Sequence, residues 1–190
     1  MSVSFDTPAD PNIAPSDWVT RHAHLVKPGG HVLDVAAGHG RHSRYFLERG
    51  CCVTAVDIDT TGLKDLRRSN TVTIVEQDME AGYWPFAPGA FDAVIVTNYL
   101  HRPHFPNLAS CLNDAGVLIF ETFGAGNEVL GRPRNPDFLL QPGELLSAFS
   151  ELLQIVAYQH GIELEPRPAV RQRLCAIQKL DPVALNAVEA

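Results

Sequence analysis

The residues with the clearest chemical potential lie in the stretch HVLDVAAGHGRHS, His31 to Ser43. An apolar, strand-like run carrying Asp34 leads into Gly38 and Gly40 just ahead of a helical stretch. Glycine removes the side chains that would keep a ligand off the backbone, and the free N–H groups of a helix start suit a carboxylate. The segment TAVDID follows, and its Asp57 stands about twenty residues beyond the turn, where a carboxylate can accept both hydroxyls of a ribose. Helix capping is the alternative role for Asp57, and Asp59 suits it too. Asp57 is preferred for the ribose because it comes first at the strand end. Turn and distal acid together predict a site for a nucleoside-bearing cofactor.

A second group of reactive side chains follows the run FDAVIVT, in Asn98-Tyr99-Leu100-His101-Arg102-Pro103. His101 is read as an acid or base on the substrate side, against a loop histidine that only hydrogen-bonds locally. His101 and His104 flank Pro103 without a third ligand at a recognised spacing, so no metal is expected. Glu121, at the end of the next apolar run, either faces a substrate or is a hydrogen-bonded structural carboxylate. Beyond it, Phe123, Phe138, Arg132 and Arg134 offer contacts for a ring or an anion, with solvated loop charge as the alternative for the arginines. Of the histidines near the glycine turn, only His39 and His42 lie close to it along the chain; most are read as structural.

These residues need a scaffold, and the pattern supplies one. Ser16 caps a predicted helix running to about Val26, ended by Lys27 to Gly30. A strand at His31 to Ala36, a helix at Arg41 to Arg49, a strand at Cys52 to Asp57, a helix at about Thr61 to Ser69 and a strand at Thr71 to Glu76 alternate in order. Phe91 to Thr97 and Val117 to Thr122 read as buried strands around a helical segment at Asn107 to Asn113. Beyond Phe123 a glycine- and proline-rich stretch to Pro142 reads as a long loop. It should leave the sheet at its carboxyl edge, line an acceptor pocket and partly close over it. A helix at Gly143 to Ser150 and strands at Leu152 to Gln159 and Val170 to Gln178, paired antiparallel, complete the order. The expected architecture is α/β and Rossmann-like: a mostly parallel sheet of about seven strands, helices on both faces and an antiparallel C-terminal strand.

The whole chain limits what such a site serves. Its 190 residues suit one domain, 1–190, with an irregular arm at 1–15 and a flexible tail at 181–190. With 22 acidic against 15 basic residues the net charge is -7, which disfavours nucleic acid and anionic membranes as partners. No apolar run approaches the roughly 20 residues of a membrane helix, and the first residues lack a secretory pattern. Cys51, Cys52, Cys111 and Cys175 fit neither a disulfide framework nor a zinc pair. A cytoplasmic protein is the expectation; the sequence leaves its oligomeric state open.

In order, LDVAAGHG, VDID, EQDME and FDAVIVTN resemble the class I S-adenosylmethionine-dependent methyltransferases, over roughly Val32 to Phe123. That family has G-x-G-x-G after its first-strand acid; here the residues are Ala36-Ala37-Gly38-His39-Gly40. The resemblance implies S-adenosyl-L-methionine as cofactor, with Asp34, Ala36, Ala37, Gly38 and Gly40 near its methionine part. It places Asp57 and Ile58 at the ribose, Asp78 and Met79 around the adenine, and Asn98 and Tyr99 facing the methyl group. His101 with Tyr99 are the catalytic candidates, and Glu121, Phe123 and Arg132 the substrate-side ones, for a small-molecule acceptor. NYLHRP and ETFGAGNEVLGRPRNP look most like small bacterial enzymes of the tellurite-resistance and thiopurine-methyltransferase type. Two rivals remain: a nicotinamide-dependent oxidoreductase, whose G-x-G-x-x-G would end at Ser43, and a noncatalytic module that binds the cofactor without turnover.

Overall fold

Short apolar runs, buried on both sides, build the sheet. The computed structural model describes residues 14–178 and Pro182, so the tail beyond Pro182 and all but the last two residues of the N-terminal arm lie outside the described residues. The strands are β1 His31–Val35, β2 Cys52–Asp57, β3 Val72–Glu76, β4 Phe91–Thr97, β5 Leu112–Phe123, β6 Gln154–Glu163 and β7 Ala169–Ile177. They form one 7-stranded sheet in the order β3-β2-β1-β4-β5-β7-β6. The first five pair in parallel, and β7 runs antiparallel between β5 and β6. The Rossmann-like fold read from the sequence is therefore the fold of the protein.

Side-chain alternation along the strands splits the core into two layers. Helices α1 Asp17–His22 and α2 Arg41–Glu48, with a 3-10 helix at Thr61–Arg68, cover one face. Trp18, Phe46 and Leu63 pack there against Val32, Ala55, Ile95 and Ile119. Helices α3 Phe105–Ser110 and α4 Glu144–Phe149 cover the other, where Phe105 and Phe149 meet Leu33, Val94, Val96 and Phe120. Strand order reverses beside β1, whose neighbours are β2 and β4, so the carboxyl ends of β1 and β4 flank the crevice where open α/β sheets bind ligands.

Several elements differ from expectation: the helix expected at about Thr61 to Ser69 is a 3-10 helix, and the strand expected at Leu152 to Gln159 runs Gln154–Glu163. The helix expected at Asn107 to Asn113 is α3, which starts earlier with Pro106 in its first turn and ends at Ser110. Strand β5 then begins at Leu112, five residues early, because Leu112 pairs with Phe91 before the register jumps to Ala93 opposite Val117. The intervening residues turn outward through Ala115 at φ 65, and Asn113 ties back to Asp92 at 2.8 Å. The loop beyond Phe123 is pinned at its base: Ala125 N–H donates to Leu140 O and Leu140 N–H to Phe123 O, at 2.9 and 3.0 Å. The buried Asn127 donates to Pro133 O and accepts from Val170 N–H, so the exposed outer part is confined to the stretch from Glu128 to about Asp137.

Candidate functional site

The turn after β1 is held by backbone alone on one side and by a carboxylate on the other. Ala37 N–H donates to Val56 O at 3.0 Å, and Gly40 N–H to Ala37 O at 2.8 Å. Ala36, Gly38 and Gly40 all have left-handed φ, at 53, 56 and 73. Ala36 takes that conformation despite its methyl group, at a cost of about 1–2 kcal/mol. Asp57 closes the turn: its Oδ2 accepts Gly38 N–H at 2.7 Å, and its Oδ1 accepts Asp59 N–H at 3.0 Å. Each oxygen has capacity for a further bond. A Cβ on Gly38 would meet nothing within 4 Å, whereas one on Gly40 would stand 2.5 Å from Leu63 Cδ2. Gly40 is thus needed for packing, and Gly38 keeps open space beside the Asp57 carboxylate.

Asp34, buried at the foot of this turn, accepts Ser43 Oγ–H at 2.6 Å. Burial pushes its carboxyl up to about 6, with Ser43 and the Arg41 guanidinium opposing the shift.

The wall across from the turn comes from the segments after β3 and β4. Met79 is buried and Ile58 half exposed, two apolar side chains at adjoining strand ends. His104 Nε2 donates to Met79 O at 2.6 Å, which fixes the tautomer because a carbonyl only accepts. Asp78 Oδ1 caps its own turn, accepting from Glu80 and Ala81 N–H at 2.9 and 3.2 Å. The Tyr99 hydroxyl is buried without a hydrogen-bond partner. Burial, then the charges of Glu80, Asp78 and Asp57, drive its acidity far down, so it remains a protonated donor. His101 stacks obliquely on His104, ring centroids 4.5 Å apart, and burial holds its imidazole below the usual range. A cavity of about 510 Å³ opens here, lined by Glu80, Leu100, His101, Pro103, Asn135 and Phe138 among others.

The remaining candidates sit toward β5 and β7. Glu121 is buried and accepts Ser16 Oγ–H at 2.7 Å and Arg173 Nε–H at 2.9 Å on the same oxygen. Phe123 lies under the Arg171 guanidinium, 3.9 Å from ring centroid to Cζ. Asn98, at φ 55 just past β4, accepts from Arg171 Nη1 at 2.5 Å. Arg132 is on the exposed part of the loop. The structure thus gathers Asp57, Asp78, Tyr99 and His101 on one side of Asn98, Phe123 and Glu121 on the other, and sets Arg132 apart. Sequence reading gave Ser16 only as the helix cap, which it is, and missed Arg171 and Arg173; the one available signal was the i, i+2 spacing of the two arginines, which puts both on one face of a strand.

His42 locks the helical side. Its Nε2 accepts Ser16 N–H at 3.2 Å, and its Nδ1 stands 3.4 Å from Thr97 Oγ1. Burial, reinforced by Arg41, lowers its pKa to about 3. The unfolded chain therefore binds a proton between about pH 6.5 and 3 that the folded chain does not, and stability falls as pH falls through that window, by up to about 1.4 kcal/mol per pH unit. Asp34 acts in the opposite sense, since its raised pKa makes the folded state bind a proton first between about 6 and 3.8. His42→Gln keeps an acceptor for Ser16 and removes one titration. Urea unfolding at pH 7, 5.5 and 4.5 should show the wild type losing stability relative to the variant toward acid; parallel profiles would mean an imidazole that titrates normally in the fold.

With this geometry in view, a methyltransferase domain family matches residues 32–116. A demethylmenaquinone methyltransferase from Renibacterium salmoninarum is 37% identical over 83 residues, 43% of this chain and 34% of that protein. The chain thus spans about a third of this relative's length. Among solved structures, TehB from Haemophilus influenzae superposes with a TM-score of 0.70 at 19% identity, covering 92% of this chain and 64% of that one. A Burkholderia thailandensis 1,6-didemethyltoxoflavin-N1-methyltransferase, with 1,6-didemethyltoxoflavin and S-adenosylhomocysteine bound, superposes with a TM-score of 0.65 at 21% identity, covering 85% and 76%. The chain shares its fold with these solved structures. No helix of the described residues is long and apolar enough to cross a membrane, and no group of three or more metal-ligating side chains gathers among them.

Proposed function

We propose that the protein transfers a methyl group from S-adenosyl-L-methionine to a small-molecule acceptor. One observation carries the reading: the Asp57 carboxylate is fixed beside Gly38, where a Cβ would meet only open space, at the strand crossover where nucleoside cofactors bind. The rest of the site fits the group. Asp57 would take the ribose hydroxyls, with Ile58 beside it. Met79 and Asp78 would take the adenine face and amine, Asp34 and the Ala36-Ala37-Gly38 backbone the methionine part. Gly40 would support the turn and Asn98 would close the far end. The unpartnered Tyr99 hydroxyl supplies a buried donor that a ligand acceptor would satisfy.

When bound, the cofactor supplies an electrophilic methyl group on a sulfonium. The chain's own residues then align the acceptor and exclude water, which is worth on the order of 7–11 kcal/mol where positioning is good. His101, neutral near pH 7 because burial lowers its pKa, can accept a proton from the acceptor, and Tyr99 can donate a hydrogen bond. The cavity at His101 and Phe138 has the size of a small-molecule pocket. Two relatives with named acceptors, demethylmenaquinone and 1,6-didemethyltoxoflavin, agree with that class. Net charge of -7 weighs against nucleic acid, and the free state of Cys51, Cys52, Cys111 and Cys175 fits a reducing, cytoplasmic setting.

The oxidoreductase reading loses support at Ser43, where its third glycine would stand: this side chain is fully buried on Asp34. Calorimetry separates the two. S-adenosylmethionine and S-adenosylhomocysteine should bind, with nicotinamide dinucleotides at least tenfold weaker; tighter nicotinamide binding would overturn the assignment.

A further inference from the structure

Arg171 and Arg173 share one face of β7, yet they are satisfied very differently. Arg173 gives Nε–H to Glu121 at 2.9 Å and Nη2–H to Glu163 at 2.6 Å. Arg171, with its side chain only 17% exposed, makes one hydrogen bond among the described residues, from Nη1 to Asn98 Oδ1. Its Nε is buried without a hydrogen-bond partner, and the carboxylates of Glu163 and Glu121 stand off at 3.7 and 4.0 Å. A guanidinium has five N–H donors, and leaving even one, here Nε, unpaired away from water is costly. The group lies over the Phe123 ring, its Cζ 3.9 Å from the ring centroid. Arg41, partly buried, faces the same Glu121 and adds like charge toward Arg171.

Position decides whose anion this arrangement suits. Arg171 pairs with Phe123 at the carboxyl end of β5, four strand spacings from Asp57 on β2, or ~19 Å. Asn98, at the end of β4, lies between them. The cofactor proposed above would occupy the β2 side and reach Asn98, leaving Arg171 beyond its far end.

We propose that Arg171, stacked on Phe123 and steadied by Asn98, is a specificity residue that anchors a carboxylate on the methyl acceptor. The acceptor is then an acidic small molecule rather than a neutral thiol or phenol. A planar guanidinium can offer two parallel N–H groups along one edge, which matches the two oxygens of a carboxylate. The inference rests on the methyltransferase reading for the acceptor's role, while the anchor itself is testable without it.

The experiment titrates benzoate, phenylacetate and indole-3-acetate, each against its neutral amide, by calorimetry with and without S-adenosylhomocysteine. At least one acid should bind tenfold or more tightly than its amide in both conditions. Arg171→Leu should abolish that preference while leaving S-adenosylhomocysteine affinity within about twofold, and Arg171→Lys, retaining charge without the fork, should keep part of it. If the leucine variant does not fold, the acid-against-amide comparison in the wild type and the lysine variant still decides. No preference for any acid would overturn the anchor. So would a tenfold loss of S-adenosylhomocysteine affinity in Arg171→Leu, which would assign Arg171 to the cofactor's own carboxylate. Absence of S-adenosylhomocysteine binding in the wild type would instead defeat the methyltransferase reading, and the titrations made without it would still report on the anchor.

Discussion

Asp57→Ala is expected to weaken binding of S-adenosylmethionine or its demethylated product by roughly 10- to 100-fold, since charge-assisted hydrogen bonds to the ribose are worth about 1.5–3 kcal/mol. The geometry adds a second contribution of the same sign. Asp57 Oδ2 is also what holds Gly38 N–H, at 2.7 Å, so the variant loosens the turn as well as removing a ligand contact. Asp57→Asn separates the two, because an amide oxygen can still accept Gly38 N–H while the charge is gone; it should fall between alanine and wild type. The glycines provide an internal control. Gly38→Ala costs the fold only about 1–2 kcal/mol of left-handed strain but places a methyl group where the ligand would lie. Gly40→Ala adds a clash with the buried Leu63, so it should lower the melting temperature more. Calorimetry and thermal unfolding on the same samples check all four variants. Unchanged affinity in a folded Asp57→Ala would assign the ribose to another acid.

Glu121→Ala should have its main effect on folding. The carboxylate is buried and joins Ser16, at the cap of α1, to Arg173 on β7. Removing one partner of such a set leaves a desolvated guanidinium and an unpaired hydroxyl, for a loss of about 3–5 kcal/mol. Denaturant unfolding should show that loss, while the acceptor KM of the surviving folded fraction changes little. A stable variant with a large KM defect would instead give Glu121 to the substrate, the role first considered for it.

The difference between these two acids shows what sequence can carry. Asp57 is legible as a candidate because its place beside the glycine turn follows from local spacing, and the strand runs that alternate between two buried faces are legible for the same reason. Glu121 has the same local appearance, a carboxylate ending an apolar strand, and its partners stand 105 and 52 residues away. No periodicity encodes a contact between a helix cap and an antiparallel strand added late in the chain. Arg171 escaped notice for the same reason: its relation to Phe123 follows from the β5–β7 register, which hydrophobic pattern alone does not set. The early start of β5 was hidden by Asn113 to Gly116, polar or small residues that read as a turn although Leu112 already pairs with Phe91. The long loop was legible as a loop, but not its anchoring through Asn127 and Leu140, which depends on β7.

Transfer of the methyl group itself tests the central claim most directly. The protein would be incubated with S-adenosylmethionine carrying a deuterated methyl group and a panel of aromatic acids, thiols, purines and phenols, and the products analysed by mass spectrometry. A labelled small molecule should form in step with S-adenosylhomocysteine, strongest among the acids and reduced at least tenfold in Asp57→Ala. Tight cofactor binding with no label leaving it, across the panel and a small-molecule cell extract alike, would contradict that claim and make the protein a cofactor-binding module without turnover.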